Sequence, residues 1–177
     1  MNILIVVDMQ NDFVSGSLGT EEAKLIVAPA KKKIEDAIAN GEKVVFTRDT
    51  HLEDYLSTQE GKNLPVEHCI RDTRGWDIVD ELKPLSYERP IFDKPGFGSP
   101  ELGAALLALN TEEKIEKITL IGLCTDICVI SNALMVKAFL PETEVCVDAA
   151  CCAGVTPEGH KNALAAMKPC QIKIENE

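Results

Sequence analysis

Three residue types that together support nucleophilic catalysis follow predicted strands of this chain: an acid, a lysine and a thiol. Asp8 ends the apolar run at 3–8, Lys94 follows the candidate strand at 87–92, and Cys128 lies just beyond the run at 118–123. In open parallel sheets, ligands bind outside the carboxyl ends of the strands. We therefore expect these side chains, far apart in sequence, to meet at one sheet edge. There a carboxylate can accept a thiol proton and a lysine can stabilise the thiolate.

The position of Cys128 is expected to favour its thiolate. If Thr125 is the N-cap of the following helix, Cys128 lies in the first turn, where free N–H groups and the helix dipole favour an anion. Positions of this kind lower the pKa of a thiol. For each residue alone the structural alternative is commoner: a buried cysteine that only packs, an Asp8 that caps a turn, a Lys94 in solvent. Only their joint placement favours catalysis.

A second group of residues has the composition of a metal site. Asp49 and His51 are two positions apart, so both side chains point to the same side of an extended chain, and His68 lies in the same irregular segment at 49–85. One carboxylate and two imidazoles suit a divalent metal, with zinc expected and manganese or iron as alternatives. Glu60 lies between them in sequence and is a candidate fourth ligand. Without a metal, Asp49 would cap a turn and His68 would be a surface residue.

The elements that must position these residues alternate between two periods. Continuous apolar runs typical of buried parallel strands lie at 3–8, 43–48, 118–123 and 143–148, with weaker candidates at 87–92 and 171–175. Helical spacing occupies 20–40, 99–109, 125–140 and 156–167, with a short helix expected near 76–82. Pro29 is expected to kink the first helix or to start a second one. His160, in the last helix, is expected to be exposed. The alternation predicts one α/β domain over 1–177 with a mainly parallel sheet.

Composition excludes several classes of protein. The chain has 177 residues, 45% of them hydrophobic and 27% charged, which is ordinary for a globular domain. Its net charge of −11 repels nucleic acid and anionic lipid, so we expect neither as a partner. No apolar run is long enough to span a membrane.

Cysteine usage bears on the compartment. Seven cysteines, several of them inside apolar runs, do not indicate a secreted disulfide framework. The chain also opens on a strand pattern rather than a signal peptide. We expect a cytoplasmic protein, and a homo-oligomer from its acidic surface and apolar helices.

Three ordered motifs make the chain similar to a known family. They are VDMQNDF at 7–13, the lysine at 94, and GLCTDICV at 122–129. Together they resemble the isochorismatase-like cysteine hydrolases, and among them the nicotinamidase-like subgroup, over essentially the whole chain. The resemblance implies a three-layer α-β-α fold with a mostly parallel six-stranded sheet and Rossmann-like topology.

The resemblance also implies roles for particular residues. It implies a catalytic triad of Asp8, Lys94 and Cys128. It implies a cis peptide between Leu123 and Cys124, with the N–H groups of Cys124 and Cys128 forming an oxyanion hole. The implied metal ligands are Asp49, His51 and His68, with Glu60 as an additional carboxylate. The expected substrate contacts are Phe13, Leu123, Phe97 and Trp76, with Tyr55 as a further candidate.

The implied activity is metal-dependent hydrolysis of a small carboxamide through a thioester on Cys128. Nicotinamide, giving nicotinate and ammonia, is the expected substrate. The chain departs from the nicotinamidase pattern at three positions: Thr50 replaces a tryptophan, Leu52 replaces a proline, and Glu67 precedes His68. These departures keep other reactions of the family open, namely a carbamoyl or ureido amidohydrolase or an isochorismatase. A non-catalytic binding protein on the same fold is the alternative from another class.

Overall fold

The computed structural model describes all 177 residues and contains one sheet of six parallel strands in the order β3-β2-β1-β4-β5-β6. The strands are β1 (Asn2–Val7), β2 (Lys43–Asp49), β3 (Ile91–Lys94), β4 (Lys117–Leu123), β5 (Glu144–Ala153) and β6 (Ile172–Glu175). This is the Rossmann-like order, and its topological switch point lies between β1 and β4. The expected α/β fold is confirmed, and its sheet is wholly parallel.

Eight α-helices connect or cover the strands. They are α1 (Asn11–Val14), α2 (Glu21–Leu25), α3 (Val27–Ala39), α4 (Gln59–Asn63), α5 (Lys83–Ser86), α6 (Pro100–Glu112), α7 (Ile130–Phe139) and α8 (Pro157–Met167). A π-helical turn at Thr125–Val129 precedes α7, and 3₁₀ turns lie at Tyr55–Ser57 and Lys168–Cys170. Threonine and serine side chains cap several of the helices by accepting from a backbone N–H of the first turn. None of these helices combines the length and the apolar character that crossing a membrane requires.

Both faces of the sheet are covered, which makes the fold three layers. Alternate side chains of β1 enter two separate cores: Ile5 packs in the core that includes α6, α7 and α8, whereas Leu4 packs in the core that includes α3. A strand buried on both faces needs apolar residues at every position. This requirement explains the continuous apolar runs of the sequence.

Local details differ from the sequence prediction. The helix expected at 20–40 is interrupted at Ile26, so that a second helix, α3, begins at Val27. Pro29 lies in the first turn of α3, where its missing N–H costs no hydrogen bond. The short helix expected near 76–82 is wrong. Ile78 instead forms an isolated antiparallel bridge with Gln10, and α5 begins only at Lys83. The third strand lies at 91–94 rather than 87–92, and the fifth extends to residue 153.

Candidate active site

Every reactive residue of the site lies where a strand ends at the carboxyl edge of the sheet. Asp8 directly follows β1, Asp49 ends β2, Lys94 ends β3, and Cys128 lies in the π-helical turn after β4. In the parallel register of β2 and β3, Asp49 is the partner of Lys94. The sheet alone therefore brings these four residues together.

The backbone is unusual where β1 and β4 end side by side. Gly122 has a φ of 118°, and a Cβ added there would lie 2.0 Å from the carbonyl oxygen of Val7, so only glycine fits this approach. Asp8 has a φ of 46°, in the left-handed region that residues other than glycine seldom occupy. The peptide bond between Leu123 and Cys124 is cis.

Lys94 lies between the candidate base and the candidate nucleophile. Its Nζ is 2.6 Å from Asp8 Oδ2 and donates to Cys128 Sγ at 3.3 Å. It also donates to the carbonyl of Gly96 at 3.0 Å. The other carboxylate oxygen of Asp8 accepts from the Thr47 hydroxyl at 2.6 Å. Asp8, Lys94 and Cys128 are between 0% and 4% exposed, so this network is shielded from water.

Burial shifts the protonation of this network. Desolvation raises the pKa of the Asp8 carboxyl, an effect that Lys94 offsets only in part and Asp49 reinforces. Desolvation also raises the pKa of the Cys128 thiol well above its ordinary value, and the Asp8 charge adds to this. For Lys94, burial alone would lower the pKa, but the charges of Asp8, Cys128 and Asp49 outweigh it and raise the pKa. Burial and these charges thus favour the protonated forms of both Lys94 and Cys128.

The expected lowering of the thiol pKa is therefore wrong for this state of the site. Cys124, not Thr125, occupies the N-cap position of the π-helical turn, and its side chain makes no capping bond. The Thr125 hydroxyl instead lies 2.7 Å from Nδ1 of His160. His160 was expected to be exposed, but the structure shows it half-buried. Burial of Cys128, reinforced by the charges of Asp8 and Asp49, outweighs the effect of the Lys94 ammonium.

Four side chains form a cluster beside the triad with the composition of a metal site. His51 Nε2 lies 3.0 Å from Asp49 Oδ2, and His68 Nε2 lies 3.4 Å from the same oxygen. Glu60 Oε1 is 3.7 Å from both Nε2 atoms. A tetrahedral zinc with bonds of about 2.1 Å separates its ligand atoms by about 3.4 Å, so the observed spacing fits such an ion.

Neighbouring groups orient these donors. His68 Nδ1 donates to the Val66 carbonyl at 2.8 Å, which leaves Nε2 free to face the cluster. The Tyr55 ring, itself fully buried, packs against both imidazoles with centroid distances of 4.6 and 5.0 Å. Burial opposes ionisation of Asp49, but the bonds from His51 and His68 and the charge of Lys94 hold its pKa below the ordinary value. Lys94 Nζ lies 3.5 Å from Asp49 Oδ1, which links the cluster to the triad.

A cavity of about 650 Å³ opens onto both groups. Its lining includes Cys124, Cys128, Phe13 and Phe97, together with all four residues of the cluster. Two expected substrate contacts lie elsewhere. Leu123 is fully buried in the core, and Trp76 donates its Nε1–H to Thr50 Oγ1 at 2.8 Å beneath the Arg48 guanidinium. Tyr55 lies behind the histidines and does not line the cavity either.

Three polar residues that support the site were not singled out from the sequence. Gln10 is fully buried, donates to the carbonyls of Asp49 and Trp76, and accepts from the Asp49 N–H. Thr47 follows three apolar residues of β2, and its hydroxyl donates to the Asp8 carboxylate. Asn132 donates to the carbonyl of Cys128 at 2.8 Å. Only Gln10 carried a usable signal, because a buried glutamine inside the first motif needs partners.

Comparison with known proteins identifies the family to which the chain belongs. The model of the isochorismatase domain family matches residues 2–175. The nicotinamidase/pyrazinamidase of Mycobacterium tuberculosis is 28% identical, and the alignment covers 98% of each chain. The crystal structure of a pyrazinamidase of Pyrococcus horikoshii in complex with zinc is 30% identical, has a TM-score of 0.82, and matches 98% of this chain and 97% of its own.

The solved structure of a different amidase is also similar. The N-carbamoylsarcosine amidase of Thermoplasma acidophilum is 27% identical, has a TM-score of 0.79, and matches 99% of this chain and 97% of its own. The chain belongs to the isochorismatase family, as its motifs indicated.

Proposed function

We propose that this chain is a cysteine-dependent amidohydrolase that converts a small carboxamide to a carboxylate and ammonia, with nicotinamide as the expected substrate. The observation that carries the proposal is the placement of Lys94 Nζ, 2.6 Å from Asp8 and 3.3 Å from Cys128 Sγ, beneath a cavity that reaches the thiol. Relatives named nicotinamidase support the choice of substrate.

In the proposed mechanism, Asp8 accepts the proton of the Cys128 thiol as the sulfur attacks the amide carbonyl. The tetrahedral oxyanion is held by the N–H groups of Cys124 and Cys128. The C–N bond then breaks, and Asp8 returns the proton to the departing nitrogen, which leaves as ammonia. Asp8 next takes a proton from water, whose oxygen attacks the thioester. The C–S bond then breaks, and Asp8 returns this proton to the sulfur, so that the acid is released and the Cys128 thiol is regenerated.

The raised pKa values fit this proton path. A buried thiol with a high pKa forms a thiolate only if its proton has an acceptor at hand, and Asp8 is that acceptor. Lys94 lies within 3.3 Å of the sulfur and stabilises the thiolate as it forms. The same ammonium offsets part of the effect by which burial raises the pKa of Asp8.

The residues that would hold a divalent metal are Asp49, His51 and His68, with Glu60 as the fourth. When bound, the metal would supply a Lewis acid that binds a substrate nitrogen, such as that of a pyridine ring, or a water, and so orients the amide. Asp49 would then use one oxygen for the metal while the other faces Lys94 at 3.5 Å. Zinc is the expected ion, because two imidazoles and two carboxylates suit it.

The experiment that tests the proposal measures ammonia release from nicotinamide and from a panel of carboxamides and ureido acids. Metal-loaded and chelated protein are compared, each as wild type and as Cys128→Ala. We expect release from nicotinamide that requires Cys128 and the metal, with the fold of the variant unchanged by circular dichroism.

Release that persists in Cys128→Ala would contradict the role of the thiol. Release only from ureido acids would favour the carbamoyl amidase alternative, to which the Thermoplasma neighbour points. Isochorismatase activity is the weaker alternative, because cleavage of a vinyl ether requires no thiol. The absence of any release, together with a Cys128 that does not react with iodoacetamide at neutral pH, would favour a binding protein.

A further inference from the structure

The cavity is much larger than the expected substrate needs. Its volume of about 650 Å³ equals that of about twenty waters in the liquid, whereas an amide of the size of nicotinamide displaces about five. The thiol and the metal-binding cluster occupy only its buried floor, where Cys128 is 4% and His68 2% exposed. Most of the space therefore lies between this floor and the mouth.

The mouth is lined by large apolar side chains that are open to solvent. Leu52 is 59% exposed, Phe97 49% and Leu64 38%. These are three of the nine large hydrophobic residues that the chain exposes, and all three line this one cavity. A single exposed leucine needs no explanation, but a group of them around a cavity marks a surface that binds something apolar.

The charges of the lining exclude one class of substrate. The lining contains the carboxylates of Asp49, Asp54 and Glu60 but no lysine or arginine. A divalent metal bound by Asp49 and Glu60 would balance those two charges and leave Asp54 at the mouth. A substrate with a carboxylate of its own would find no lysine or arginine to pair with in this lining, and the carboxylate of Asp54 would repel it.

We propose that this site selects uncharged primary amides that carry an apolar extension, and that Leu52, Leu64 and Phe97 bind this extension. The inference rests on the proposed amidohydrolase function and deepens it by naming the substrate class. The carboxamide lies at the Cys128 floor, and the extension reaches the mouth. An anionic amide of the same length is a poor substrate.

The test compares kcat/KM for three probes that share one reacting group: benzamide, 3-butylbenzamide and 3-carboxybenzamide. We expect 3-butylbenzamide to exceed benzamide by at least about tenfold, since one methylene in an apolar pocket is worth about tenfold or more. We expect 3-carboxybenzamide to fall below benzamide by a similar factor. Leu64→Ser and Phe97→Ser should each reduce the ratio of the butyl to the unsubstituted probe by about tenfold. The matched control Leu25→Ser, on α2 and 76% exposed away from the cavity, should keep that ratio.

Equal kcat/KM for the two neutral probes, in a protein that hydrolyses benzamide or nicotinamide, would overturn this inference and leave the proposed function intact. If none of the three probes is hydrolysed, calorimetric binding of the same probes to Cys128→Ala decides the inference. The proposed function fails only if nicotinamide and the carboxamide panel are not hydrolysed either. Tighter binding of 3-butylbenzamide by about tenfold would support it, and equal or absent binding would overturn it. Dissociation of an oligomer by Leu64→Ser in sedimentation would also overturn it, because the apolar mouth would then be covered by a second copy of the chain.

Discussion

Two regions of this molecule use the same pair of chemical groups, an ammonium and a carboxylate, with opposite results. At the carboxyl edge of the sheet, Lys94 and Asp8 lie 2.6 Å apart and are 1% and 0% exposed. At the far side, Lys117 and Glu175 also lie 2.6 Å apart, but each is 32% exposed. Distance is equal in the two pairs, so the surroundings make the difference.

The surroundings set how the protons of each pair are coupled. Water screens the pair of Lys117 and Glu175, so the pair adds little stability. Lys94 interacts with two carboxylates and a thiol in a site that is buried from solvent. A proton gained or lost by one of these groups therefore changes the pKa of the others. The buried arrangement thus couples these groups in the way that proton transfer requires.

The largest effect is expected for Lys94→Met, compared with Lys117→Met. Without the ammonium, Asp8 takes up a proton and ceases to be a base, and we expect kcat/KM for amide hydrolysis to fall by about 10⁴-fold. Breaking the buried pair should also lower the free energy of unfolding by about 3 to 5 kcal/mol. Lys117→Met should change it by less than about 1 kcal/mol. Ammonia release and urea unfolding measure both, and equal effects of the two substitutions would break the comparison.

The next effect is expected for Asp8→Asn, compared with Asp148→Asn. The carboxamide introduced by the first substitution cannot accept the thiol proton, so we expect kcat/KM to fall by about 10³-fold. Asp148 is also buried, but it bonds to Lys33 and Asn176 far from the cavity. Its substitution should cost about 1 to 3 kcal/mol of stability and leave kcat/KM unchanged. A loss of activity in a folded Asp148→Asn protein would show that buried carboxylates outside the site also act in catalysis.

Glu60 is intermediate between the two pairs in burial, because its side chain is 22% exposed. Burial and the charge of Asp49 raise the pKa of its carboxyl. If Glu60 binds zinc, Glu60→Gln should weaken zinc affinity by about 10- to 100-fold. Competition with a chelator measures that affinity. The matched control is Glu67→Gln, next to His68 but outside the cavity lining. An unchanged affinity in Glu60→Gln would remove this residue from the metal site.

The smallest effect is expected in the pH dependence. Hydrolysis needs ionised Asp8, and burial raises the pKa of Asp8 above the ordinary 3.8. The acid limb of the activity profile should therefore have its midpoint above pH 3.8, and activity should fall about tenfold per pH unit below that midpoint.

The same shift affects stability, because ionising a buried Asp8 is unfavourable in the folded state. The contribution of Asp8 to the free energy of unfolding is therefore lost as pH rises from 3.8 through the raised pKa. Glu144 has the opposite sign, because its bond to Lys173 lowers its pKa and its contribution is lost as pH falls. An acid limit of activity at the ordinary aspartate value would contradict the shift of Asp8.

Most of the fold could be predicted from the sequence, because strands buried on both faces leave long apolar runs that few other structures produce. The exceptions lie where polar contacts between distant residues decide. Residues 76–82 have helical spacing, but the Val79 N–H donates to the Met9 carbonyl and the helix does not form. The spacing of residues within one segment cannot predict a hydrogen bond to a residue so distant in sequence.

The part of the candidate site that could be predicted from the sequence consists of the residues at the ends of strands. Asp8, Asp49 and Lys94 follow from the parallel register, whereas Trp76 and Leu123 were assigned by likeness and lie outside the cavity. The pKa of Cys128 could not be predicted, because it depends on burial rather than on position in a helix. The homo-oligomer and the cytoplasmic location stay predictions.

Side chains of the first motif hold the segment at 69–77 against the end of β1. The Gln10 side chain accepts from the Asp49 N–H and donates to the Trp76 carbonyl. The Asp12 carboxylate accepts from the Cys69 N–H at 2.8 Å. Residues 69–77 are thus tied to residues 10–12, and to His51 through a single parallel bridge at Ile70, rather than paired with a strand of the sheet. Native-state hydrogen exchange should show them opening together, at a lower free energy than the sheet. Each opening would loosen His68 while β1 and β4 stay paired, so a metal could enter and leave without global unfolding.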